Sequence, residues 1–72
     1  MMEKEFLKKL GKRITLLRKR KKISQIELAS NCDFEKSNMS RIESGRTNPT
    51  ALTLLKIAQA LEVPLKKLFE FD

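Results

Sequence analysis

The chain has 72 residues, with 16 Lys and Arg against 9 Asp and Glu, no His and one cysteine, Cys32. That length holds one small core, and therefore one domain (1–72), which buries only about 60% of the surface its unfolded chain exposes. It leaves no room for a lid or cofactor fold; the missing His removes the usual general base and metal ligand, and a lone thiol makes neither a disulfide nor a thiolate cluster, so no enzyme, metal or cofactor is expected.

The charge is concentrated. Residues 1–22 hold ten Lys/Arg against Glu3 and Glu5, a net of +8, and the overall +7 leaves the other fifty residues at −1. A basic element on a near-neutral body points to a polyanionic partner, nucleic acid first, with a merely solvated helix face as the bland alternative. Nothing resembles a targeting or membrane segment, because the longest apolar-leaning stretch, 51–63, is short and broken by Lys56, Gln59 and Glu62. A single thiol suits a reducing compartment, so a cytoplasmic, nucleoid-associated protein is expected.

The elements follow in chain order. Phe6, Leu7, Leu10, Ile14 and Leu17 recur at helical spacing and predict a first helix over about 3–21. Gly11 lies inside it, weakens it by up to ~1 kcal/mol relative to Ala, and invites close approach by another helix. Ser24-Gln25-Ile26-Glu27 matches a capping box and starts a second helix that ends near Asn31, with Leu28, Ala29 and Cys32 facing inward. A break over 31–34 precedes a third helix from about Glu35 to Ser44, which buries Met39 and Ile42 and ends at Gly45.

Residues 46–49 read as a loop, since Pro49 disfavours helix at Asn48. Thr50 caps a fourth helix through about Leu61, with Leu52, Leu55, Ala58 and Leu61 expected on one face. A last short helix starts at Pro64, with Leu65, Leu68 and Phe69 apolar. Strand periodicity is not sustained anywhere, so the prediction is an all-α, compact five-helix bundle.

The second and third helices are too short to persist alone in water and must be braced by the first and fourth. Bracing leaves the third with an apolar edge (Met39, Ile42) and an outward edge of Lys36, Ser37, Asn38, Ser40 and Arg41. Long cations and compact hydrogen-bonding groups suit base edges and phosphates in a major groove that admits a helix.

The run Ile23-Ser24-Gln25…Glu27-Leu28-Ala29…Met39-Ser40-Arg41-Ile42-Glu43-Ser44-Gly45…Asn48-Pro49 resembles the helix-turn-helix core of the phage-repressor and Cro-like family. Leu17-Arg18 upstream, and Leu54-Leu55…Ala58-Gln59-Ala60-Leu61-Glu62-Val63-Pro64-Leu65…Leu68 downstream, resemble its flanking helices. The likeness spans about residues 7–69, with the helix-turn-helix unit at about 24–45. It implies a lambda-repressor-like fold and a double-stranded-DNA-binding regulator that acts as a homodimer on an inverted repeat.

By the same resemblance, Lys36, Ser37 and Arg41 match base-facing positions, with Asn38 and Ser40 at more variable ones. Ser24 and Gln25, at the start of helix two, and Arg46, Thr47 and Asn48, in the loop, match backbone-gripping positions. Arg18 and Glu43 match an ion pair that ties helix one to the end of helix three. Two positions depart from the family pattern. Asp33 stands where the turn usually has Gly, and Glu35 stands where Ser or Thr is common and is a poor cap.

Cys32 reads as a buried inert thiol and Met39 as core. The Phe6, Phe69 and Phe71 rings read as finishing the core, or Phe69 and Phe71 join Leu65 and Leu68 in a dimer patch, the favoured view. The Lys19–Lys22 run reads as long-range phosphate contact or as a solvated helix end. No small-molecule effector is implied. An antitoxin-like or anti-regulator protein-interaction module on the same fold is the alternative function, and a membrane-surface basic helix over 3–22 is a third, disfavoured because it has no Trp and is charged on most sides.

Overall fold

The computed structural model describes residues 2–72, so the first residue of the expected domain lies outside the described residues. Four α-helices follow one another: α1 (Met2–Arg20), α2 (Gln25–Asn31), α3 (Lys36–Glu43) and α4 (Ala51–Leu61), then a 3-10 helix over Leu65–Phe69. The architecture is all-helical, with four α-helices rather than the five expected. The fifth segment forms instead as a five-residue 3-10 helix with no side-chain cap, in keeping with the short pieces in which that tighter helix occurs.

Local chemistry sets the helix starts. Glu3 and Glu5 occupy the first turn of α1 and Arg18, Lys19 and Arg20 its last, each sign matching the helix dipole. The Glu27 amide donates to the Ser24 hydroxyl at 3.0 Å while the Ser24 amide donates to the Glu27 carboxylate at 2.9 Å, completing the capping box of α2. The Thr53 amide donates to the Thr50 hydroxyl at 3.1 Å and caps α4. Glu35 precedes α3 in extended conformation without any side-chain cap bond, as its chemistry implies.

The helix ends share one device. Lys22, Asp33, Gly45 and Glu62 follow α1, α2, α3 and α4, each in the left-handed region at φ 63°, 59°, 77° and 60°. After each, the next amide reaches back into the helix: Ile23 to Arg18, Phe34 to Ala29, Arg46 to Arg41 and Val63 to Ala58. These are Schellman-type endings, and in three of them the residue that reaches back is apolar (Ile23, Phe34, Val63) and packs on the core. Asp33 thus adopts the backbone that Gly would hold more cheaply, and so do Lys22 and Glu62, which the sequence did not flag.

The core gathers Leu10, Ile14 and Leu17 of α1, Leu28, Ala29 and Cys32 around α2, Met39 and Ile42 of α3, four residues of α4, and Leu68. On α4 the buried set is Leu54, Ile57, Ala58 and Leu61, whereas Leu52 and Leu55 are exposed. The expected stripe of Leu52, Leu55, Ala58 and Leu61 is corrected by geometry. A strict spacing of three drifts backward round a helix of 3.6 residues per turn, whereas 54, 57, 58 and 61 stay on one face.

Candidate nucleic-acid interface

Eight residues make α3, and its two sides differ completely. Met39, Ile42 and Glu43, at spacings of three and four, are buried. Ser37 and Arg41 are exposed on the opposite side, Lys36 is exposed at the first position of the helix, and Asn38 and Ser40 sit half-buried along the margins. All five expected base-facing residues therefore reach one continuous outward edge, fully or in part. Arg41 lies near the end of α3, where its carbonyl accepts from the Ser44 hydroxyl at 3.2 Å and the Arg46 amide at 2.9 Å, fixing the exit of the chain.

This edge is held by a polar clamp beneath it. Glu43 is 7% exposed, and its carboxylate accepts from Arg18 Nε at 2.8 Å and Nη2 at 3.1 Å and from Gln25 Nε2 at 3.1 Å, and it shares the single Thr15 hydroxyl hydrogen with the Gly11 carbonyl, each acceptor 2.9 Å from Oγ1. The third nitrogen of Arg18, Nη1, donates to the Ile23 carbonyl at 3.0 Å. A buried carboxylate so fully partnered fixes geometry more than it adds stability, since desolvation offsets most of the Coulomb attraction. One hub therefore joins α1, the start of α2, and the end of α3.

Gly11 completes the hub. A Cβ there would lie 2.3 Å from the Glu43 carbonyl oxygen and 2.7 Å from that of Ile42, so α1 and α3 cross where only hydrogen fits. Thr15 was not singled out in the sequence; the signal available was its position four residues after Gly11 and three before Arg18, on the same side of α1.

Gln25 faces partly inward. One amide hydrogen engages Glu43, which leaves the other hydrogen and the carbonyl oxygen for solvent or ligand, and its side chain is half-buried. Ser24 is exposed; its oxygen accepts from the Glu27 amide, so its own O–H remains a donor. In the loop after α3, Arg46 and Asn48 are exposed and Thr47 is half-buried. The expected backbone-gripping residues thus divide into two groups, one at the start of α2 and one beyond the end of α3.

The C-terminal segment lies against the other side of α1. Arg13 Nε donates to the Lys67 carbonyl at 2.8 Å, a tether the sequence reading missed, and Phe6 packs on Phe69 and Phe71 with ring centroids 6.4 and 5.6 Å apart. Leu68 is 0% exposed and belongs to the core, which corrects its assignment to a dimer patch: a side chain filled in on every side offers nothing to a partner. Leu65 and Phe69 are exposed, and Phe71 is half-buried. Cys32 is buried with its thiol directed at the Lys56 carbonyl, and burial pushes its pKa up. Among the described residues no buried side-chain polar atom lacks a partner, and no helix is long and apolar enough to cross a membrane.

A family model described as "Helix-turn-helix domain" matches residues 11–70. The chain is 39% identical over 56 residues to an uncharacterized HTH-type transcriptional regulator, y4dJ, of Sinorhizobium fredii, covering 78% of this chain and 73% of that protein. It is 44% identical over 64 residues to the HTH-type transcriptional regulator SlrR of Bacillus subtilis, spanning 88% of this chain but only 42% of SlrR. An immunity repressor protein of Bacillus phage phi105 is 37% identical over 54 residues, covering 75% of this chain and 38% of the repressor. Among solved structures, the restriction-modification controller protein C.AhdI from Aeromonas hydrophila superposes with a TM-score of 0.86 at 35% identity, covering 88% of this chain and 96% of that one.

Proposed function

This chain belongs to the helix-turn-helix family of DNA-binding transcriptional regulators, and from that premise we propose that it reads a specific double-stranded DNA sequence as a homodimer on an inverted repeat. The observation that carries the reading is the outward edge of α3: Lys36, Ser37 and Arg41 are exposed on a short helix whose opposite side is locked by Glu43 and the core. In this reading α3 enters the major groove. Lys36 and Arg41 donate to acceptor-rich base edges, Ser37 serves either sense of hydrogen bond, and Asn38 and Ser40 contribute at the margins. Ser24 and Gln25 on one flank, and Arg46, Thr47 and Asn48 on the other, hold the phosphates that set the register.

Gln25 has a double role, since its amide spans from Glu43 to the DNA backbone and couples the clamp to the contact. The dimer forms through exposed apolar side chains, Leu65 and Phe69 among them, with half-sites about one DNA turn apart. In this reading its occupancy of a promoter rises with its own concentration.

Selection of bound duplexes from a random pool tests the reading directly. An inverted repeat should emerge, and Arg41→Ala or Lys36→Ala should lower the ratio of specific to nonspecific affinity by ~1–3 kcal/mol per lost base contact. Equal losses on selected and random DNA would remove both residues from base reading. Arg46→Ala should weaken both alike and flatten the salt dependence by about one unit.

A further inference from the structure

The family match begins at residue 11, whereas α1 begins at Met2, so about two and a half turns of helix precede the matched region. These turns continue a ridge. Lys4, Lys8, Gly11, Thr15 and Arg18 succeed one another at spacings of three or four and therefore share one side of α1. The later part of the ridge is pinned to α3, through Gly11 against the Glu43 carbonyl and through Thr15 and Arg18 on the Glu43 carboxylate. But α3 stops at Glu43 and the ridge runs on past it.

Beyond that point Lys8 backs onto Gly45, where an added Cβ would lie 2.7 Å from the Lys8 Cα. Lys4, Leu7 and Lys8 then form one wall of an open groove, and the chain from Ser44 to Asn48 forms the other. Lys4, Lys8 and Arg46 are all exposed at this groove, and among the described residues no carboxylate forms an ion pair with any of them. Among the described residues only Arg13, Arg18, Lys21 and Lys67 are in ion pairs, so what sets Lys4, Lys8 and Arg46 apart is the groove they share. Three cations line this groove and no carboxylate does, so its charge complements an anion of extended, repeating charge.

We propose that Lys4 and Lys8 are phosphate-binding residues, so that the first turns of α1 extend the backbone grip of the loop at 46–48 onto neighbouring phosphodiesters of the same duplex. The inference rests on the DNA-binding reading above. Its competitor is purely structural: Lys8 only complements the carbonyl end of α3, and Lys4 is only solvated.

The test is the salt dependence of binding to a duplex selected from random DNA, for the whole protein and two charge-matched double variants. Lys4→Gln/Lys8→Gln removes the proposed contacts. Lys9→Gln/Lys12→Gln removes the same charge from the part of α1 that lines a different groove, against Phe71 and Asp72. The first pair should flatten the slope of log K against log salt by about two units and weaken binding roughly 60-fold at 0.1 M salt, while the second leaves the slope within about half a unit. Equal slopes for the two pairs, or a fall in Tm with no change of slope for the first, would overturn the inference. Failure of the unaltered protein to bind any selected duplex would bring down the DNA-binding reading and this one together; an unchanged slope on a duplex that still binds tightly brings down only this one.

Discussion

Replacing Gly11 by Ala sets two effects of opposite sign against each other. Helix propensity alone favours Ala in mid-helix by up to ~1 kcal/mol. Against it, the new Cβ meets the Glu43 carbonyl oxygen at 2.3 Å, that residue's carbonyl carbon at 2.7 Å and the Ile42 oxygen at 2.7 Å. All three are backbone atoms, and ordinary contact begins near 3.4 Å, so α3 must retreat by about 1 Å. Retreat also stretches the hydrogen bonds that converge on the Glu43 carboxylate. Overpacking of this kind costs ~1–3 kcal/mol, and the loosened buried clamp adds to it. The expected net loss is about 2 kcal/mol, or roughly 8–16 °C in Tm for a chain this small. Thermal and urea unfolding followed by circular dichroism measure it. A Gly11→Ala protein as stable as the original, or more so, would refute the close crossing of α1 and α3. Affinity for DNA should also fall under conditions where the variant is fully folded, because α3 is displaced relative to the start of α2.

Four further outcomes are expected. Arg18→Ala strands the buried Glu43 carboxylate and should cost ~3–5 kcal/mol, a large part of the ~4–11 kcal/mol that a domain of this size has; the Arg18→Met/Glu43→Leu double variant should recover most of it in urea melts, and a double variant no better than the single would count against the clamp. Lys22→Gly should stabilise by ~0.5–1 kcal/mol, because relief of the left-handed backbone exceeds the added chain entropy; no gain in the urea midpoint would contradict the strained ending of α1. The Lys21 ammonium bonded to Glu62 holds that carboxyl below its ordinary 4.5. A depressed folded pKa makes a contribution that is present above 4.5 and lost as pH falls below it; the acid-side decline in stability should therefore be slightly smaller in Glu62→Gln than in the unaltered protein, and identical profiles would contradict the contact. Burial pushes the Cys32 thiol up, so its alkylation should be slow in native buffer and rise in step with urea unfolding, and rapid labelling of the folded protein would place it at the surface.

The helix starts and most of the inward face were legible in the sequence because they are local. Ser24 and Thr50 cap the helices that their own spacing announces, and Leu10, Ile14, Met39 and Ile42 keep a helical period that points them inward. The outward edge of α3 was legible for the same reason: once Met39 and Ile42 are buried, Ser37 and Arg41, four residues apart, must face away, while Lys36, three residues before Met39, is exposed because it opens the helix. The phase of α4 was misread, since two apolar stripes compete there and only packing against α2 and the 3-10 helix selects Leu54 and Ile57 over Leu52 and Leu55. Leu68 was placed outside for a similar reason; a short apolar segment has no period long enough to say which residue turns in.

What pairs across the chain is decided at another level. Thr15 and Gln25 join Arg18 on a single carboxylate, Arg13 tethers the C-terminal segment, and Lys4 and Lys8 line up beside Arg46, although dozens of residues separate several of these partners. Sequence alone determined which segments become helices and which side of each prefers water, because propensity, capping and periodicity act within a few residues. Only the tertiary structure determined which polar groups meet and how closely α1 crosses α3, because those depend on the relative placement of helices, and no local pattern encodes it.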